Sequence, residues 1–203
     1  MGRTILTIAI LISFGVLNGF GQYNQDERTI IMSASNDGLT AFTLSDMDGD
    51  GLVDIVCGAS VNSDIGWYKN LGAGEFGPFD IIVSHEEALY TDMETVDIDG
   101  DGDLDIFFAD NLWGAKRVAW LENLGDGSFS DELEVPGFSG DPEDIDFFDF
   151  NGDGYQDLLL ITTTRLVYYQ NDGSGELVLG EYIEVIDGVG NFGRTCDAAD
   201  IDG

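Results

Sequence analysis

The sequence predicts an all-β fold, a β-propeller built from four-stranded units that we call blades. Three observations predict it. An acidic nine-residue loop returns about every fifty residues, short apolar and aromatic runs follow each loop, and glycine-rich turns separate those runs. Four short strands per unit at this period are typical of propeller blades. The alternative, a parallel β-helix, has much shorter rungs.

The acidic loops are evenly spaced along the chain. Their first residues are 51, 52 and 51 positions apart: Asp46, Asp97, Asp149 and Asp200. The complete copies are loop 1 (residues 46–54), loop 2 (97–105) and loop 3 (149–157). Four loops in one register indicate repetition of a structural unit rather than chance.

Each loop is followed by three further strand signals. In the first unit these are an apolar run at 55–57, an aromatic segment ending at Asn70, and an outer run at 81–83. An Asn-x-Gly-x-Gly turn separates the last two, because glycine accepts the positive φ of a tight turn. We expect units at about 40–84, 91–136 and 143–186, with a fourth starting at 194–203.

The run 30–33 precedes loop 1 by the same distance as 81–84 precedes loop 2. This spacing predicts an outer strand whose own blade takes its first three strands from the C-terminal end of a closed ring. Three complete units are too few for a ring of about 4–8 blades. We therefore interpret the chain as an N-terminal fragment of a propeller with about seven blades.

The N-terminus predicts export. Arg3 precedes an almost unbroken apolar run at 5–17, and Gly19 and Gly21 supply small residues for cleavage. This pattern is typical of a secretory signal peptide and is short for a membrane span. We assign residues 1–21 to the signal peptide, residues 22–203 to the repeats, and the protein to the secreted or cell-surface class. An uncleaved anchor or a buried helix is the alternative.

The charge excludes two classes of partner. The chain has 40 acidic residues against 7 basic ones, a net charge of −33. Such a surface repels nucleic-acid phosphates and anionic lipids. We expect no nucleic-acid partner and no membrane insertion of the mature chain.

The spacing within each loop predicts a metal site. Acidic or amide side chains at positions 1, 3, 5 and 9, with the carbonyl of position 7, can surround one ion, and glycines at positions 4 and 6 let the backbone curl. Such an oxygen shell suits Ca²⁺ better than Mg²⁺, and a single His with two Cys argues against zinc. The candidate ligands are Asp46, Asp48, Asp50, Leu52 and Asp54; Asp97, Asp99, Asp101, Asp103 and Asp105; Asp149, Asn151, Asp153, Tyr155 and Asp157; and Asp200 and Asp202 of the fourth loop.

Two positions modify this expectation. Asn151 is a neutral donor, so we expect loop 3 to bind more weakly. Asp103 should bind through its backbone carbonyl, with its side chain in water. The alternative for all the loops is an ordinary turn, since Asp and Gly are common turn formers.

With these loops and turns, the chain resembles the FG-GAP/VCBS repeat family, which is similar to the propeller of integrin α subunits. The resemblance covers about 23–203, and its Phe-Gly turn is clear only at Phe76-Gly77. It implies Asp-x-Asp-x-Asp-Gly-x-x-Asp calcium loops between the first two strands of each blade, with the side-chain ligands given above. Members of the family serve in adhesion, in ligand binding, or as modules of secreted enzymes.

Four other residues raise separate questions. Cys57 and Cys196 could form a disulfide, but both align with apolar positions of the repeat, so we expect buried, unpaired thiols. His85 is the only histidine and, without a nucleophile pattern around it, we expect a solvated loop residue. Trp113 fits the repeat poorly and is the candidate for an exposed contact.

The recurring aromatic residues Trp67, Trp120 and Tyr168 could stack on sugars, but their fixed place in each unit favours the blade core. The predicted function is a non-enzymatic, secreted calcium-binding module for binding, adhesion or scaffolding, with an extracellular protein or carbohydrate as ligand. The alternative is the substrate-binding propeller of a larger secreted hydrolase or lyase.

Overall fold

A computed structural model describes residues 38–59, 62–112, 115–163 and 165–184. These residues form twelve strands in three four-stranded antiparallel sheets. Blade 1 contains β1 (Leu39–Ser45), β2 (Asp54–Ala59), β3 (Asp64–Gly72) and β4 (Glu75–Ser84). Blade 2 contains β5 (Tyr90–Val96), β6 (Asp105–Leu112), β7 (Ala115–Leu121) and β8 (Leu133–Glu134). Blade 3 contains β9 (Pro142–Phe148), β10 (Asp157–Thr162), β11 (Arg165–Gln170) and β12 (Val178–Glu184).

The strands of each sheet lie in chain order, so each blade is a meander from its first strand to its fourth. The first strand β5 of blade 2 packs against both β1 and β9, and thus the first strands of the three blades adjoin one another. This arrangement confirms the predicted all-β propeller of four-stranded blades. The number of blades in the ring stays a prediction.

The second strands are buried because strands flank them on both edges and neighbouring blades cover their faces. Every residue of β2 is buried, and so are the first six of the eight residues of β6. Two apolar clusters lie between the blades. One joins blades 1 and 2 around Met93 and Phe108, and the other joins blades 2 and 3 around Phe107 and Leu160.

The recurring aromatic residues belong mainly to these interiors. Trp120 is 6% exposed and stacks on Phe107, with ring centroids 5.4 Å apart. Trp67 is half-buried against the cluster between blades 1 and 2. The hydroxyl of half-buried Tyr168 donates to Asp157 Oδ2 over 3.0 Å. The preference for a core role is right for Trp120, whereas Trp67 keeps part of its surface in solvent.

Cys57 is buried and forms no disulfide within the part of the chain that the structure describes, and burial raises the pKa of its thiol to about 12. It therefore behaves as the small apolar residue that was predicted. Residues 1–21, the run 30–33, Trp113 and Cys196 lie outside the described residues. None of the described segments forms a helix with the length and hydropathy needed to cross a membrane.

The prediction for His85 was wrong. Its side chain is only 14% exposed and lies between blades 1 and 2. Its Nδ1 is 2.6 Å from the hydroxyl of Tyr90, and its Nε2 is 2.7 Å from Glu132 Oε2. Glu132 also pairs with Arg117. The error arose because the loop between β4 and β5 is covered by blade 2, which the local sequence does not reveal.

Candidate metal centre

The acidic loops connect the first and second strands of their blades, so all three occupy equivalent places. Their glycines make the turn possible. Gly51 and Gly102 have φ values of 84° and 99°, a region that side-chain-bearing residues rarely adopt. A substitution at either position would strain the loop even though a Cβ atom would meet no neighbour there.

The aspartate at position 1 organises the inside of each loop. In loop 1, Asp46 Oδ1 accepts from the Asp50 amide at 3.0 Å and its Oδ2 from the Gly51 amide at 2.8 Å. Asp97 and Asp149 also accept on both oxygens from amides of their own loops. Each carboxylate as a whole retains further acceptor capacity, so these bonds hold the loop closed without excluding a cation.

The aspartate at position 9 ties the loop to the rest of the blade. Asp54 has no exposed surface. Its Oδ2 accepts from the Met47 amide at 3.0 Å and its Oδ1 from the Asn70 amide, at the end of the aromatic segment, at 2.7 Å. Asp105 and Asp157 are equally buried and make the corresponding pairs of bonds. Position 9 thus joins the loop to the third strand as well as the second.

Burial at position 9 creates an electrostatic cost. Loss of hydration raises the pKa of Asp105 to about 7, and the nearby charges of Asp99 and Asp101 add to the rise, while the two amide bonds oppose it. The pKa of Asp54 is raised for the same main reason. A cation beside these carboxylates would stabilise their ionised forms.

The candidate ligands converge to different degrees. Among the described residues, two acidic groups of three bring one oxygen each within 4.8 Å of one another. They are Asp46, Asp48 and Asp50 in loop 1, and Asp97, Asp99 and Asp105 in loop 2. Asp54 and Asp101 are not part of these groups. Loop 3, as described, brings no such acidic group of three together, since Asn151 replaces one carboxylate.

The residues at position 7 close the curl of each loop. The amides of Leu52, Asp103 and Tyr155 donate to the position-5 carboxylates at 2.9, 2.9 and 3.0 Å. The Asp103 side chain is half-buried and lies over Gly125 rather than standing free in water. It therefore faces water only in part. Asp200 and Asp202 lie outside the described residues.

Loop 1 has a feature that its own sequence does not reveal. Lys69 on β3 contacts Asp48 through its ammonium group, which also lies 3.5 Å from Asp50. The equivalent residues in the other blades are Glu122 and Gln170. Lys69 thus brings a positive charge to two candidate ligands of loop 1 alone.

The donor sets fit a hard cation. The side chains that face one another in loops 1 and 2 offer only oxygen, and an irregular shell of carboxylate oxygens suits Ca²⁺. Described residues of the loops include no histidine or cysteine that would favour zinc.

The chain is similar to known proteins in its fold and in its repeat sequence. No curated protein matched the chain in sequence. A structure of an Agrocybe aegerita lectin, described as recognising non-reducing terminal N-acetylglucosamine, is similar to the chain with a TM-score of 0.50 and 23% identity. The match covers 70% of this chain and 37% of the lectin, and at this identity it shows the fold alone.

A second structure, the Photorhabdus luminescens Tc holotoxin pore, is similar at a TM-score of 0.47 and 22% identity, over 78% of this chain and 8% of that one. The chain therefore spans well under two thirds of both structures. The FG-GAP-like repeat matches three times, at residues 46–108, 97–160 and 149–203, and the chain belongs to the FG-GAP-like repeat family.

Proposed function

We propose that the protein is a secreted, calcium-binding propeller module that recognises an extracellular carbohydrate or protein and catalyses no reaction itself. The observation that carries the calcium part is the convergence of Asp97, Asp99 and Asp105 within 4.8 Å in loop 2. Three carboxylates this close repel one another unless a cation lies among them. The repeat family and the lectin of similar fold support the binding role.

The chain's own residues explain what the ion would do. Bound Ca²⁺ would supply positive charge that offsets the repulsion and desolvation of the loop carboxylates. Asp97 holds the loop backbone in its curl, and Asp105 joins that loop to β6 and β7. Because these bonds exist only in the folded blade, metal binding energy becomes folding energy.

For recognition, we propose a groove between blades 1 and 2. Its volume is about 430 Å³, and its lining includes half-buried Trp67, Asp80, Ser130 and Asp131. An indole face beside hydroxyl and carboxylate oxygens suits a sugar ring, which stacks through its C–H bonds and donates through its hydroxyl groups. Asp80 and Asp131 are exposed, so they are available to a ligand.

The calcium proposal is tested by thermal unfolding and isothermal titration calorimetry of the full chain. We expect a higher Tm in millimolar Ca²⁺ than in chelator, and saturable binding heat. Asp97→Ala should remove the binding at loop 2. An unchanged Tm together with no binding heat would overturn the proposal.

The recognition proposal is tested by glycan-array binding in millimolar Ca²⁺. We expect saccharide binding that Asp80→Ala weakens, while Glu86→Ala, an exposed acidic residue outside the groove, leaves it unchanged. Binding that is insensitive to Asp80→Ala would refute the groove. Cleaved saccharide in the same incubation would instead support the hydrolase or lyase alternative.

A further inference from the structure

The backbone of Met47 lies between two candidate ligands of loop 1 and makes hydrogen bonds to two blades. Met47 separates Asp46 and Asp48, two of the converging ligands of loop 1. Its amide donates to Asp54, in its own blade, at 3.0 Å. Its carbonyl accepts from the side-chain amide of Asn123, in the next blade, at 3.2 Å. The two peptide groups that flank Met47 are therefore held from two blades.

Loop 2 has the same arrangement at the next blade boundary. Ile98 separates Asp97 from Asp99, and its amide donates to Asp105 at 3.0 Å. Its carbonyl accepts from the side-chain amide of Asn171, in blade 3, at 2.7 Å. Two independent boundaries thus show one pattern.

Each asparagine is itself held firmly. Asn123 and Asn171 are 3% and 0% exposed. The side-chain oxygen of Asn123 accepts from the Gly125 amide at 3.1 Å, and its backbone amide donates to Asp105 at 2.8 Å. The side-chain amide of Asn123 also donates to the Leu104 carbonyl at 3.2 Å, so it points its donor at the neighbouring loop with little freedom.

The residues between the first two ligands are buried at both boundaries. Met47 and Ile98, which the following blade covers, are 6% and 0% exposed.

We propose that each calcium loop is completed by the asparagine of the following blade, so that Asn123 is a positioning residue for loop 1 and Asn171 for loop 2. This inference rests on the proposed calcium binding. The asparagine does not touch the ion. It fixes the peptide between the first two ligands, and so lowers the cost of bringing their carboxylates together. Calcium binding and the packing of one blade on the next are then coupled, and each favours the other.

Ca²⁺ binding to each loop is measured separately in the full chain. The amide resonances of Gly51 and Gly102 report loops 1 and 2 during a Ca²⁺ titration followed by NMR. Asn123→Ala should lower the affinity read at Gly51 about tenfold, the effect of losing one well-ordered buried hydrogen bond. Asn171→Ala is the matched control. It should lower the affinity read at Gly102 by a similar factor and leave Gly51 within about twofold.

The outcomes separate the two proposals. Unshifted glycine resonances in the wild-type chain would overturn calcium binding and this inference together. Wild-type binding with an unchanged Gly51 titration in Asn123→Ala would overturn the inference alone. An equal loss of calcium affinity at Gly51 in Asn171→Ala would also overturn the inference, because it would show general destabilisation.

Two further measurements apply if the alanine variants do not fold. Asn123→Asp keeps the acceptor for Gly125 but removes the donor to Met47, so it should also weaken loop 1. In a chain with loop 2 disabled by Asp99→Ser, the side-chain amide resonance of Asn123 should shift as loop 1 binds Ca²⁺. A stationary resonance during that titration would overturn the inference.

Discussion

The side-chain amide of Asn171 donates to the carbonyl of Ile98, 73 residues earlier in the chain, over 2.7 Å. The bond joins the end of a strand in blade 3 to the acidic loop of blade 2. It is buried, and the same side chain also donates to the Gln156 carbonyl at 3.2 Å. The loop thus takes part in the contact between blades as well as in the curl of its own hairpin.

Asn171→Ala should therefore destabilise the protein even without calcium. The buried carbonyl of Ile98 and the partly buried carbonyl of Gln156 would each lose a donor, which costs about 1–3 kcal/mol of unfolding free energy. Urea unfolding in chelator measures this loss. Gln170→Ala, at the exposed neighbouring position on the same strand, is the control and should change stability by less than about 0.5 kcal/mol. Equal stability of the two variants would contradict the prediction.

Lys69→Met should raise the calcium affinity of loop 1. The ammonium of Lys69 contacts Asp48 and lies 3.5 Å from Asp50, so an arriving cation must displace it or share those carboxylates with it. We expect a gain of several-fold, on the order of 1 kcal/mol, because the lysine is partly exposed and screened. Calcium titration read at the Gly51 amide measures it.

Lys116→Met is the matched control for this change. Lys116 is equally exposed and pairs with Asp141, which lies outside the acidic loops. The Lys116→Met substitution removes the same charge from the protein but should leave the calcium affinity of loop 1 unchanged. An equal gain in both variants would mean that net charge, rather than the contact with Asp48, determines the affinity.

Asn151→Asp should strengthen loop 3. The asparagine already places its side-chain oxygen on the Asp153 amide at 2.8 Å, as Asp99 does with the Asp101 amide at 3.2 Å in loop 2. The substitution therefore adds charge with little change in geometry, and ligand charge is a main determinant of calcium affinity. We expect the calcium affinity read at the Gly154 amide to rise about tenfold, and the affinity read at the Gly102 amide to stay unchanged. No gain would show that charge does not limit loop 3.

Asp92 on β5 should make stability depend on pH. Burial, together with repulsion from Asp144, raises the pKa of Asp92 to about 7, although a bond from the Ile145 amide opposes the rise. The unfolded value is about 3.9. Because the folded state binds the proton more tightly, the contribution of Asp92 to stability is full below about pH 4. It is lost as the pH rises through about 7.

In chelator, Asp92→Asn should consequently flatten the fall in unfolding free energy between pH 5 and pH 8. The amide oxygen can still accept from Ile145, so the fold is preserved. Urea unfolding at several pH values measures the slope, and Glu86→Gln, at an exposed position, serves as control. A slope as steep as that of the wild type would contradict the assignment to Asp92.

Much of the fold could be predicted from the residues because its signals are local. Aspartates and glycines within nine residues define a loop, and short apolar runs at fixed offsets define the strands around it. The bonds of Asp46 to its own loop amides span four and five residues. The assignments of residues 1–21 and of the fourth loop, which fall outside the described residues, stay predictions.

Other features depend on residues that are far apart in the chain. His85 looked like a solvated loop residue, but Glu132, 47 positions later, covers it. Lys69 lies 21 positions from Asp48, and no motif connects the two.

By itself, the sequence determined the repeat, the four strands of a blade and the curled acidic loop between its first two strands. These follow from hydrogen bonds and turn geometry within one unit. Only the tertiary structure decided which contacts each loop receives from outside its nine residues, because the third strand of the same blade brings the lysine and the following blade brings the asparagine. Those contacts depend on the relative position of strands and sheets, which no local pattern encodes.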